Sequence, residues 1–123
     1  MWDRRAQYVE NHDGDTVRMV LDQGFGDTKQ VDVRLMGVFA PELREPGGPE
    51  CQAFVEAWFQ SRIRSGTRWF FVVTTARMKV ADREQKTLDR YVGTITSIDG
   101  TDNLNLEVMA FIASKGYGGG VGS

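Results

Sequence analysis

The chain has 123 residues, a formal net charge of −2 and one cysteine, Cys51. This length suits a single domain with one modest core, and the composition excludes collagen-like, disordered and disulfide-rich proteins. A lone cysteine excludes an internal disulfide and a zinc cluster, and the slight negative charge argues against tight, non-specific binding to nucleic acid. Residues 1–7 lack the apolar segment of a signal peptide, so we predict a cytoplasmic protein of a bacterium or a phage-infected host.

Charge is distributed unevenly along the chain. Residues 1–50 contain ten acidic and six basic side chains, whereas residues 62–90 contain eight basic and three acidic side chains. This distribution suits an enzyme that binds a metal and a phosphate, but an ordinary solvated surface gives the same pattern. The longest apolar run, residues 69–73, is too short to span a bilayer, so no membrane partner is predicted.

Three segments of the first half predict a meander of β-strands: residues 5–10, 16–22 and 31–36. The second and third alternate apolar and polar side chains, and the first is a weaker candidate. Asp13-Gly14-Asp15 predicts a turn between the first two strands, because Asp and Gly tolerate turn geometry. Residues 23–29 contain two glycines and predict a hairpin connection before the third strand.

The remaining chain predicts two helices and two more strands. All three prolines fall within or next to residues 42–49, which predict a loop, and helical apolar spacing follows over residues 50–64 up to Gly66. The later predicted elements are a strand buried on both faces (68–75), a loop (76–88), a strand with a bulge or bend at Gly93 (90–98) and a helix from the Asn103 cap to Gly116 (104–115).

The order β-β-β-α-β-β-α predicts a mainly β (α+β) fold, a five-stranded OB-fold barrel with two helices. An open α+β sheet with the same element order is the alternative. We predict one domain over residues 1–115 and a flexible glycine-rich tail over residues 116–123.

Four features place chemically useful side chains at strand ends or turns, where barrel proteins carry their sites. They are Asp13-Gly14-Asp15-Thr16, Arg34, Pro41-Glu42 and Leu88-Asp89-Arg90-Tyr91. Carboxylates suit Ca²⁺ or Mg²⁺, and arginines suit phosphate because the guanidinium offers paired donors and keeps its charge. Together they are the components of phosphodiester hydrolysis, although each feature alone is also explained by an ordinary turn or surface charge.

In order and spacing, the motifs DGDTV, VRLMGVFAPE and DRYVG resemble the staphylococcal nuclease (thermonuclease) family over about residues 7–98. The resemblance implies an OB barrel and a metal-dependent nuclease that hydrolyses DNA or RNA. We expect a single-stranded substrate and a monomeric protein. The alternative is a weakened or inactive domain of the same ancestry that binds nucleic acid or a protein partner.

The resemblance implies a metal site formed by the DGD turn and the residues that follow the third strand. Asp15 is expected to bind the metal directly, Asp13 to support the turn and the metal shell, and the carbonyl of Ala40 to act as a backbone ligand. Ca²⁺ is the expected ion, with Mg²⁺ or Mn²⁺ as alternatives. Phe39 stands where the family has a second metal-binding Asp, and a lost carboxylate weakens Ca²⁺ affinity.

The resemblance also implies the residues that act on the phosphodiester. Arg34 and Arg90 are expected to bind the phosphate, and Glu42 to orient or deprotonate the attacking water. Phe39 and Tyr91 are candidates for stacking on bases, a contact that tolerates any sequence. Core packing is the alternative for both aromatic residues, and we favour it for Tyr91.

Overall fold

The computed structural model describes residues 2–63, 71–75 and 90–117, without the side chains of Trp2, Thr75 and Arg90. These residues form a closed five-stranded OB-fold barrel with two helices, which confirms the predicted fold class and element order. The elements are β1 (Trp2–Asn11), β2 (Thr16–Gly24), β3 (Asp27–Leu35), α1 (Gly48–Gln60), β4 (Phe71–Thr75), β5 (Arg90–Ser97) and α2 (Leu104–Lys115).

The barrel closes in the strand order β1-β2-β3-β5-β4, with β4 pairing back onto β1. The β3–β5 pair is parallel, whereas the other four pairs are antiparallel. Closure rules out the open sheet that the element order also allowed.

The core follows the alternation of the strands. The predicted inward side chains of β2 and β3 are all buried at 0–1% exposure: Val17, Met19, Leu21, Val31, Val33 and Leu35. Helix α1 adds Val55, Trp58 and Phe59 to the same cluster. Burying one such side chain contributes about 1.5–3 kcal/mol, so the interior of the barrel is the main source of stability.

The β2–β3 connection is shorter than predicted. Instead of a loop over residues 23–29, the strands continue to Gly24 and from Asp27, and a two-residue turn joins them. Phe25 and Gly26 both have positive φ, 55° and 82°, which is the geometry of a type I′ hairpin turn. Polar side chains made these residues look like a loop, but backbone pairing does not depend on them.

One further boundary prediction and one burial prediction are corrected. Helix α1 ends at Gln60 and not near Gly66, because Ser61 and Arg62 donate side-chain hydrogen bonds to the Trp58 carbonyl and compete with the helical pattern. In β4, Val72 and Thr74 are only half-buried, because their face of the strand is the outer surface of the barrel. The predicted loop over residues 76–88 lies outside the described residues, as do residues 64–70.

Gly93 does not mark a bulge, since its pairing with β3 and β4 keeps a continuous register. Its carbonyl instead accepts hydrogen bonds from Met36 N at 2.8 Å and from Asn105 Nδ2 at 3.1 Å. Asn105 is buried, and it also donates to the Met36 carbonyl and accepts from Ile95 N. One amide side chain on α2 therefore positions the chain where β3 leaves the barrel.

The second helix begins and ends as predicted. The side chain of Asn103 accepts a hydrogen bond from Leu106 N, and Gly116 terminates the helix with φ 72°. Tyr117 packs edge-on against Phe111, while residues 118–123 lie outside the described part of the chain. The extent of the domain and the flexibility of the tail stay predictions. No described helix has the length and apolar character needed to cross a membrane.

Candidate functional site

The β1–β2 turn and the end of β3 meet at one end of the barrel. Thr16 pairs with Arg34, and Leu35 N donates a hydrogen bond to the Asp15 carbonyl at 2.8 Å. This register brings two distant predicted residues, Asp15 and Arg34, side by side. The structure therefore juxtaposes the DGD turn and the arginine that the sequence analysis singled out separately.

The DGD turn is held by its own first aspartate. Oδ1 of Asp13 accepts hydrogen bonds from the backbone N–H groups of Asp15 and Thr16, both at 3.1 Å. The buried Asn11 secures the turn from the other side, since its Nδ2 donates to the carbonyls of Asp13 and Gln52. The turn is thus tied both to itself and to helix α1.

Gly14 lies where three segments come together. A Cβ atom on this residue would lie 2.6 Å from the Cβ of Cys51 and 2.8 Å from the Cβ of Ala40. Real Cβ atoms essentially never approach so closely, and both neighbours are fixed to the backbone. The glycine is therefore required because α1 and the 39–42 turn pack directly on the DGD turn.

The Asp15 carboxylate forms the centre of the site. Its Oδ2 lies 3.0 Å from Nη1 of Arg34 and accepts a hydrogen bond from Ala40 N at 3.3 Å, while Thr16 Oγ1 donates to Oδ1 at 3.2 Å. Burial and the neighbouring Asp13 carboxylate nevertheless raise the pKa of Asp15 to about 6, more than the Arg34 and Ala40 contacts lower it. The charged form of Asp15 is thus disfavoured mainly because burial removes its solvation.

Arg34 is oriented by two acceptors. Its Nη1 donates to the Val38 carbonyl at 3.1 Å and pairs with Asp15. The side chain keeps 32% exposure, so the guanidinium is held in place yet accessible. It faces a pocket of about 840 Å³ that Asp13, Asp15 and Glu42 also line.

Glu42 lies on a rigid turn. Glu45 N donates to its carbonyl and Glu45 Oε1 accepts from Glu42 N, both at 2.8 Å, and a Cβ on Gly48 would collide with the same carbonyl. The Glu42 side chain is exposed, and no described residue donates a hydrogen bond to its carboxylate. This carboxylate is therefore free to interact with water at the pocket.

Phe39 places an aromatic ring at the mouth of this pocket instead of a carboxylate. The ring is 53% exposed, and the guanidinium carbon of Arg34 lies 5.6 Å from its centroid. The residues on either side are anchored, because Val38 accepts from Arg34 and Ala40 donates to Asp15. The ring therefore sits on a fixed backbone beside the predicted phosphate-binding arginine.

The remaining predicted residues divide into two groups. Ala40 lines the pocket, with its N–H on Asp15. Tyr91 is 4% exposed and belongs to the core, which confirms the packing interpretation that we favoured for it. The backbone of Arg90 in β5 pairs with Asp32 in β3. Its side chain and residues 88–89 lie outside the described part of the chain, so the predicted role of Arg90 stays a prediction.

The carboxylates near the pocket fit some cations better than others. Among the described residues, no three His, Cys, Asp or Glu side chains form a group that could hold a metal ion. A cation bound between the adjacent Asp13 and Asp15 carboxylates would offset the repulsion between them. Two carboxylates fit Mg²⁺ or Mn²⁺, which keep several waters, better than Ca²⁺, which takes six to eight oxygen ligands.

Sequence reasoning missed several residues that shape the pocket. Arg18 lines it and is held by Glu10 at 3.4 Å and by Asp32 at 3.1 Å. The alternation of β2 contained this signal, because an outward Arg18 faces the outward Asp32 of the paired strand. His12, Leu43 and Arg44 also line the pocket, and no sequence pattern pointed to them.

Comparisons with known proteins leave the family open. No family model matches the chain, and no curated protein matches it at a significant level. The resemblance to the staphylococcal nuclease family therefore rests on the motifs themselves and stays a prediction.

Proposed function

We propose that the protein is a metal-dependent nuclease of the staphylococcal nuclease type, which hydrolyses phosphodiester bonds of DNA or RNA. The observation that supports this best is the grouping of one oriented guanidinium and three carboxylates around a single pocket. These groups belong to Arg34, Asp13, Asp15 and Glu42.

Arg34 has the properties needed to bind the scissile phosphate. A guanidinium presents paired donors to phosphate oxygens and cannot lose its charge at any working pH. Its contact with the Val38 carbonyl orients the fork, and a phosphate oxygen can take the place of the Asp15 carboxylate oxygen at Nη1. Donors held in this way stabilise the additional negative charge that develops during attack on phosphorus.

Glu42 has the properties needed to handle the attacking water. Its carboxylate lies at the pocket, is exposed and accepts no hydrogen bond from a described residue. A carboxylate on a rigid turn can hold a water by one hydrogen bond and accept its proton during attack.

The electrostatics of the pocket favour a bound cation when the substrate is present. Five acidic residues line the pocket against three arginines: Glu10, Asp13, Asp15, Asp32 and Glu42, against Arg18, Arg34 and Arg44. A polyanionic substrate is repelled by such an excess. A divalent cation held by Asp13 and Asp15 would offset this repulsion and supply positive charge to the transition state.

The test is cleavage of labelled single-stranded DNA and RNA with Mg²⁺, Mn²⁺, Ca²⁺ or EDTA. We expect cleavage that EDTA abolishes and that Arg34→Ala reduces about 100-fold or more, the loss typical of one preorganised donor. Arg5→Ala is the matched control, because this arginine is exposed on β1 and does not line the pocket. A folded wild-type protein that cleaves neither substrate with any of these metals contradicts the proposal.

A second candidate is a domain of the same ancestry that binds nucleic acid or a protein partner and no longer cleaves. Phe39 in place of an acid, together with an Asp15 already paired with Arg34, is the observation that favours it. Phe39→Asp distinguishes the two candidates when the wild type is tested beside it. Cleavage that appears only in this variant supports the second candidate, whereas cleavage by the wild type supports the first.

A further inference from the structure

An exposed aromatic ring lies beside the guanidinium in the candidate site. Phe39 is 53% exposed, and Leu43, which also lines the pocket, is 41% exposed. Single exposed apolar side chains are common on protein surfaces, so exposure alone indicates nothing. The position of this ring relative to the charged groups is what distinguishes it.

One side of the ring is already occupied. The guanidinium carbon of Arg34 lies 5.6 Å from the ring centroid, within the range of a cation–π contact, which keeps ring and cation together. The anchored neighbours Val38 and Ala40 prevent the backbone from turning the ring away. The exposed remainder of the ring therefore presents an apolar surface to the pocket.

The two groups offer complementary contacts to the parts of a nucleotide. The guanidinium of Arg34 can bind a phosphate, and the exposed ring of Phe39 beside it can contact a base of the same strand. The pocket of about 840 Å³ lies within the range of volumes that hold a compact ligand of this size. An aromatic ring and a nearby phosphate-binding cation are the two elements with which proteins bind single strands.

We propose that Phe39 is a specificity-determining residue that stacks on one unpaired base of the substrate while Arg34 binds the adjacent phosphate. This inference rests on the proposed function and deepens it by assigning Phe39 a direct contact with an unpaired base of the substrate. A base inside a duplex is covered on both faces by its neighbours, so the ring can reach only a base that has left the stack. A carboxylate at position 39 would offer no such surface.

The experiment measures binding of short fluorescent DNA strands in EDTA, so that no strand is cleaved. Three probes are compared: a single strand, the same strand with abasic sugars, and the duplex. The abasic strand keeps every phosphate and removes the bases. Wild type, Phe39→Ala and Phe25→Ala are titrated with each probe. Phe25 is the matched control, because it is fully exposed on the distant β2–β3 turn.

We expect the wild type to bind the single strand about ten-fold or more tightly than the abasic strand or the duplex, the difference associated with one base–aromatic contact. Phe39→Ala removes this preference and leaves binding of the abasic strand unchanged, whereas Phe25→Ala behaves as wild type. The inference is overturned if Phe39→Ala binds all probes as the wild type does. It is equally overturned if this variant weakens binding of all probes to the same extent, or if the wild type shows no preference.

Cleavage assays with metal separate this inference from the proposed function. A protein whose Phe39-dependent preference is present but which cleaves nothing supports the inference and contradicts the nuclease. A protein that cleaves single strand and duplex alike, with or without the Phe39 ring, supports the nuclease and overturns the inference.

Discussion

Strand β2 has a tight, glycine-containing turn at each end, and the two turns are held in opposite ways. At the DGD turn, a Cβ on Gly14 would collide with Cys51 and Ala40. At the turn of Phe25 and Gly26, nothing lies within 4 Å of a Cβ built on Gly26, and the Phe25 side chain is fully exposed. Contacts with other segments hold the first turn, whereas only the local backbone conformation determines the second.

The difference matters for function because only the packed turn can hold charged groups in a fixed arrangement. Asp15 lies 3.0 Å from Arg34 although burial disfavours its charged form. The contacts of the packed turn therefore hold this carboxylate in position. The hairpin turn carries no such group and tolerates a residue in a strained conformation. The substitutions below test this contrast, from the largest expected effect on stability to the smallest.

Gly14→Ala is expected to destabilise the protein most, by about 3 kcal/mol, because a buried Cβ overlaps two backbone-attached carbons. Gly26→Ala is the control, and its positive φ of 82° alone is expected to lower stability by about 1–2 kcal/mol. Urea denaturation of both variants measures the difference. Equal losses would show that the DGD turn is not packed as described.

Asn11→Ala removes two hydrogen bonds, which the Asn11 side chain donates to the carbonyl of Asp13 in the DGD turn and to the carbonyl of Gln52 in α1. Because these bonds are partly buried, we expect a loss of about 1–3 kcal/mol. At the other turn, Asp22→Ala removes one hydrogen bond to Gly24 N, and we expect about 0.5 kcal/mol or less. Denaturation midpoints decide between them, and a loss for Asp22→Ala as large as for Asn11→Ala contradicts the contrast.

Asp15→Asn tests the charge concentrated at the packed turn, in EDTA. The pKa of Asp15 is raised from 3.8 to about 6, so the folded protein binds a proton at this carboxyl more tightly than the unfolded chain does. The stability that comes from this protonation is fully present below pH 3.8 and is lost as the pH rises through 6. The variant should therefore be more stable than wild type at pH 7, by about 1–2 kcal/mol after allowance for solvent screening, with the difference vanishing near pH 4. Urea titrations at several pH values measure this, and a difference independent of pH argues against it.

Apart from the control substitution Asp22→Ala, Phe25→Asn is expected to have the smallest effect, and in the stabilising direction. Phe25 has a φ of 55°, a conformation that Asn adopts at lower cost, and the substitution creates the Asn-Gly pair preferred in type I′ turns. We expect a gain of about 0.5–1 kcal/mol in the free energy of unfolding. Thermal and urea unfolding measure it, while a loss would indicate that the Phe25 ring makes stabilising contacts.

Much of the fold was predictable because each barrel strand buries one face, so that apolar and polar side chains alternate along it. The periodicity of residues 16–22 and 31–36 identified every inward side chain of the β2–β3 pair, and Asn103 with Gly116 marked the ends of α2. The boundaries that were wrong depend on contacts that side-chain periodicity does not show. The β2–β3 hairpin continues through polar residues because backbone pairing extends it.

The candidate site was predictable in its composition but not in its contacts. Asp13, Asp15, Arg34 and Glu42 were identified from motifs, and the structure places all four around one pocket. The contributions of Arg18 and of the buried Asn105 were missed. The alternation of β2 marked Arg18 as outward but not its partners, which lie on other strands, and the partners of Asn105 lie far along the chain.

By itself, the sequence determined the element order, the inward face of each clear strand, the ends of α2 and the residue types available for phosphate and metal chemistry. These are local properties, set by side-chain periodicity, caps and turn residues. Only the tertiary structure decided that the sheet closes, that Gly14 serves as a packing contact, that Asp15 pairs with Arg34, and that Phe39 lies exposed beside this pair. These depend on how the segments come together in space, as when the β2–β3 register pairs Thr16 with Arg34 on the adjacent strand.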